Sequence, residues 1–146
     1  MGLLSLAAAL ALSGCVTPAS PETPPPAAPT VDAEAILHPD GTAEQNRAFF
    51  AAALQSFVVG EADVTGRGIV DALVDAGFPK SHMQVSFDRT KTDLVADAIY
   101  VSVRIDEDCL VGQVQTGSRE TTTEVLGAVG PDTDLCLIGK TRPITW

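Results

Sequence analysis

The stretch IYVSVRIDEDCLVGQVQT, residues 99–116, decides the fold. Ile99, Val101, Val103 and Ile105 alternate with Tyr100, Ser102 and Arg104. A period of two gives an apolar face only on an extended strand. The carboxylates of Asp106, Glu107 and Asp108 interrupt the pattern and read as a turn, and Cys109 to Thr116 read as the returning strand. An antiparallel pair is therefore expected, with one face covered. The other face, carrying Tyr100, Ser102 and Arg104, is expected to meet water or a partner and is the candidate ligand surface.

Working outward, the chain before this hairpin has helical spacing. Thr42 followed by Gln45 reads as a capping box, and Phe50, Ala53, Leu54, Phe57 and Val58 fall on one helical face that Gly60 ends. A second helix is expected from about Gly66 to Ala76, capped by Thr65, with Val70, Leu73 and Val74 inward. Gly77 sits where a left-handed residue closes a helix, Phe78 can fold back on Leu73, and Pro79 stops continuation. Met83, Val85 and Phe87 alternate with polar residues as a strand. Downstream, residues 119–129 fit either period, with the threonines favouring a strand, and Leu135 to Ile138 read as a short final strand that Arg142 to Trp146 extend. Helices first and strands later give an α+β domain: two N-terminal helices on one face of a mostly antiparallel sheet of about four to five strands. About 105 residues suffice for its own core.

The chain before that domain reads differently. Leu3 to Leu12 form an apolar run of ten residues, half the roughly 20 that span a bilayer. The run ends in Leu12-Ser13-Gly14-Cys15, which resembles the bacterial lipobox. That resemblance implies a signal peptide over residues 1–14, cleaved before Cys15, with diacylglycerol on the Cys15 sulfur. Two or more acyl chains make such an anchor lasting. Met1-Gly2 lacks the usual basic start, which places the expected start upstream or implies trimming. Residues 15–40 then read as a lipidated cysteine and a tether, since seven of the ten prolines fall between positions 18 and 39. Proline-rich chain favours solvated polyproline II, and residues 16–30 would reach roughly 45 Å when extended. His38, beside Pro39, is placed with this tether, and the globular domain with residues 41–146.

With Cys15 assigned to lipid, Cys109 and Cys136 remain. An even pair in an exported chain reads as a disulfide, here worth roughly 3–4 kcal/mol by loop-closure entropy. Their separation of 27 positions is not the CxxC spacing of a redox pair.

The formal net charge is −10 and the nine basic residues are scattered, so nucleic acid is not an expected partner. Gly66-Arg67-Gly68 lacks a preceding strand and a third glycine, and reads as a helix start rather than a nucleotide turn. Asp106 to Asp108 lack the glycine and bidentate glutamate of a calcium loop. The two histidines lack zinc-ligand spacing, and adjacent Ser81 and His82 carry no nucleophile signature. No catalytic residue, metal or cofactor is therefore assigned. Trp146 is expected to pack against the core.

The lipobox LSGC, ALVDAGF (72–78), MQVSFD (83–88), ADAIYVSVR (96–104), CLVGQ (109–113) and CLIGKTRPITW (136–146) together resemble a family of uncharacterised actinobacterial cell-envelope lipoproteins. The resemblance implies an exported domain, lipid-anchored on the outer face of the cell membrane, and assigns no catalytic residues. The expected role is a non-enzymatic binding module for an envelope protein or cell-wall component. The alternative is a hydrolase-type envelope enzyme whose acid and base come from separate loops.

Overall fold

The computed structural model describes residues 35–146. The expected signal peptide, Cys15 and most of the proline-rich tether lie outside the described residues. Helix α1 spans Ala43–Val59 and α2 spans Gly66–Asp75; a single 3-10 turn, Lys80–His82, leads into the sheet. The strands are β1 (Met83–Val85), β2 (Ala98–Ile105), β3 (Asp108–Gln115) and β4 (Thr121–Gly127). They form one sheet in chain order, each antiparallel to the next. The domain is α+β, as its periodicities predict.

Local chemistry explains both helix starts. Thr42 and Gln45 form the reciprocal capping box, each side chain accepting the other's backbone N–H. Thr65 accepts from Gly68 N–H at the start of α2, and Asp88 accepts from Gly66 N–H, setting a carboxylate at the positive helix end. At the other end of α2, Gly77 takes φ 108°. Its N–H bonds Val74 and that of Phe78 bonds Leu73, closing the helix as a Schellman motif.

The core lies between the helices and one sheet face. Phe50, Leu54 and Val58 of α1 and Ile69, Val70 and Leu73 of α2 are buried against Val85, Ile99, Val101, Val103, Leu110 and Val114. Each such side chain stabilises the fold by roughly 1.5–3 kcal/mol. Helix α1 covers β3 and β4, and α2 covers β1 and β2. Close approach of α1 requires Gly112 on β3: a Cβ there would lie 2.5 Å from Leu54 Cδ1 and 3.1 Å from the Phe50 ring.

The hairpin at 99–116 forms in the register its alternation implies, Val103 opposite Leu110 and Ile105 opposite Asp108. Residues 121–127 are strand, joining β3 from Val114↔Thr121 to Asp108↔Gly127. Two expectations need correction. Strand β1 stops at Val85: the Ser86 hydroxyl accepts Tyr100 N–H in place of a ladder bond, and Phe87 is 46% exposed rather than on the core face. The fifth strand at Leu135 to Ile138 does not form. Leu135 makes only an isolated bridge with Val129, and Cys136 and Leu137 give their N–H groups to the Gln84 side chain, both at 3.0 Å.

Those bonds make the C-terminal segment a strap across the second sheet face. Cys136 is disulfide-bonded to Cys109 of β3, with Cα atoms 5.6 Å apart. Gln84 of β1 donates back to Asp134 O at 2.9 Å, and Arg142 N–H bonds Val85 O on the outer side of β1 at 2.8 Å. The strap ends at Trp146. Its indole N–H donates to Asp71, and Arg142 lies 5.0 Å from the ring centroid. Part of the face expected to meet water is therefore covered by the chain itself.

Candidate functional site

Three loops meet at the end of the domain where β2 turns into β3, and they enclose a cleft of about 540 Å³. The first loop is the chain entering α1. Asn46, 1% exposed, holds it. Its Oδ1 accepts His38 N–H at 2.8 Å, and its Nδ2 donates to His38 O at 2.9 Å and Thr42 O at 3.0 Å. His38 thus has its backbone fixed to α1, where the sequence reading leaves it with the tether. Leu37 also packs on the core. The second loop is the Gly77–Phe78–Pro79 corner and the turn ending in His82. The third is the β2–β3 turn, which Asp106 completes with φ 54°, a conformation aspartate tolerates better than most residues.

Leu37, Phe78, Pro79 and Ile105 give the cleft apolar walls, and His38, Asp40, His82, Arg104 and Asp106 give it polar ones. Both histidines of the chain line it. Arg104 donates from Nη1 to Asp106 O at 3.2 Å and has no carboxylate partner among the described residues. The other arginines are engaged. Arg47 meets Glu44 and Glu124, Arg67 meets Asp71, Arg89 meets Asp93, and Arg142 lies 2.6 Å from Asp88. Arg119 donates to Val58, Gly60 and Ala62 carbonyls at 2.7–3.0 Å, closing the C-terminal end of α1. No group of three metal-ligating side chains lies together among the described residues.

The three residues of the expected ligand surface share the second sheet face by strand alternation but differ in exposure and neighbours. Tyr100 is 43% exposed on the second sheet face, Ser102 is fully buried with no partner for its hydroxyl, and Arg104 belongs to the cleft. Sequence reading missed the cleft because its polar members are far apart along the chain. Asp106 was legible only as a turn residue, and Asn46 only as a polar position within a helix. The hint available was a turn signal beside each cleft residue: Pro39-Asp40-Gly41, Gly77-Phe78-Pro79 and Asp106-Glu107.

The Asp71 carboxyl is held below its ordinary value. Burial is the largest single influence and raises it. Hydrogen bonds from Trp146 and Lys80 and the charges of Lys80 and Arg67 outweigh that and hold it lower. The cluster around Asp71 fastens the strap to α2 and leaves its polar groups paired.

The sequence profile of a family described as "Domain of unknown function (DUF6993)" matches residues 54–140. That is more than half of the chain, and the protein belongs to this family. The matched region runs from within α1 through the sheet and most of the strap, and includes both bridged cysteines. No curated protein and no solved structure matches the chain.

Proposed function

We propose that this member of a family of unknown function is a binding module, held on the outer face of the cell membrane by lipid on Cys15. One observation carries the binding role. The cleft is built from loops fixed by their own hydrogen bonds, and among the described residues it leaves Arg104 without a carboxylate partner in a chain of net charge −10. An arginine that lines a preformed concavity and keeps donors free is chemistry available to a ligand.

Export is supported separately. The lipobox resemblance at residues 12–15 supplies an anchor, and the likeness to actinobacterial envelope lipoproteins points the same way. The Cys109–Cys136 bridge suits an oxidising compartment. Among the described residues no helix is long and apolar enough to cross a membrane, which leaves attachment to Cys15 in this reading. In detergent-phase partitioning the native protein is expected in the detergent phase and the Cys15→Ser chain in the aqueous phase. A Cys15→Ser chain that still partitions with detergent would remove the anchor from the proposal.

A further inference from the structure

We infer that the cleft takes a small zwitterion, an amino acid or short peptide with a free carboxylate and a free ammonium group; this rests on the binding reading above. The charge pattern of the lining leads there. Arg104 has no carboxylate partner, and Asp40 and Asp106 have no cationic partner among the described residues, yet all three line one space of about 540 Å³. Small-molecule sites run from about 300 to 1,000 Å³.

A purely anionic ligand would pair with Arg104 and face both aspartates. A purely cationic one would pair with the aspartates and face the guanidinium. Like charges brought together in a partly desolvated cleft oppose binding more strongly than in water. A ligand with both signs satisfies both sets: its carboxylate accepts the planar fork of Arg104 and its ammonium donates to Asp40 and Asp106. His38 and His82 offer further ring N–H donors or acceptors. Phe78 and Ile105 provide apolar wall for a side chain. Asn46 is excluded from direct contact, because its amide is spent on His38 and Thr42.

The test uses the full chain carrying Cys15→Ser and four probes: the dipeptide alanyl-leucine, its N-acetyl form, its C-terminal amide, and inorganic phosphate. Calorimetry gives affinity, and backbone amide NMR locates the site. Alanyl-leucine is expected to shift the amides of Gly41, Gly77 and Asp106. Blocking either end is expected to weaken binding at least tenfold, as is Arg104→Gln, which leaves the spectrum otherwise unchanged. Equal binding of the blocked dipeptides overturns the inference. So does phosphate binding more tightly than the dipeptide, though a module for anions would then survive. If no probe moves the cleft amides the inference fails, while the partitioning of Cys15→Ser still judges the anchor independently.

Discussion

Breaking the Cys109–Cys136 bridge tests how the strap belongs to the domain. The bridged residues are 27 positions apart, and closing a loop of that length removes about 12 cal/mol/K from the unfolded chain, or about 3.5 kcal/mol at 25 °C. In the native state the strap keeps its other ties, to Gln84, Val85 and Asp71. The loss should therefore fall on the unfolded ensemble rather than on native packing. Residues 35–146 unfolding at about 2.1 cal/mol/K each give a total near 0.24 kcal/mol/K, so Tm should drop by about 15 °C. Circular dichroism melts of the oxidised protein, the reduced protein and a Cys109→Ala, Cys136→Ala variant measure it. The reduced form keeps both sulfurs and separates loop closure from the volume lost at buried Cys109. All forms should melt in one transition. A drop below about 5 °C would refute the entropy argument, and two transitions would show the strap folding as a separate unit.

Substitutions at four further residues probe single contacts. Arg119→Ala removes the hydrogen bonds to three carbonyls at and just beyond the end of α1 and should cost about 2 kcal/mol in urea unfolding. Because Arg119 has φ 63°, Arg119→Gly should recover about 1 kcal/mol of that; equal losses would deny the strain. Asn46→Ala strands buried partners on residues 38–42 and should cost about 2 kcal/mol, with hydrogen exchange rising first at His38 and Gly41. Ser102→Ala deletes a buried hydroxyl without a partner and should raise stability by about 1 kcal/mol with an unchanged urea m value. Asp71 is lower in the folded chain than unfolded, so its contribution is present above the unfolded value and is lost as pH falls through the folded one. Emission from Trp146 should shift red over that acid range, and Asp71→Asn should abolish the pH-dependent step.

The legible parts of this fold are those where a local pattern meets its matching tertiary partner. The alternation at 99–105, the capping box at Thr42 and the Gly77 stop all signal through neighbours in sequence, and each forms. Leu135 to Ile138 fails for a physical reason. Its apolar run resembles the start of β3, but the Cys109–Cys136 bridge holds it over β3, an inner strand, rather than beside an edge strand. The outer side of β1 takes Arg142 N–H, and the segment instead crosses the sheet face to bond the Gln84 amide. Nothing in the residues around Gln84 distinguishes an amide that binds backbone from one that meets water. The cleft was illegible for a related reason. His38, His82 and Arg104 share no local pattern, and chain turns rather than periodicity bring them together.

Three polar side chains here do the work of backbone: Asn46 for the entry loop, Gln84 for the strap and Arg119 for the end of α1. Each satisfies main-chain groups that no helix or ladder reaches, so each fixes a loop where apolar packing is thin. For the cleft this separates two kinds of residue. Arg104 lines the space and has donors left over, so its loss should weaken ligand binding without changing stability. Asn46 has its amide engaged on the loop, so its loss should weaken stability and binding together through a slackened wall. At one ligand concentration Arg104→Gln should then gain less stability from ligand than the unsubstituted chain, while ligand restores part of the stability lost in Asn46→Ala, because the stabilisation a ligand gives grows with its affinity for the fold. The same thermal shift from ligand in both variants would mean that the guanidinium is not the anchor.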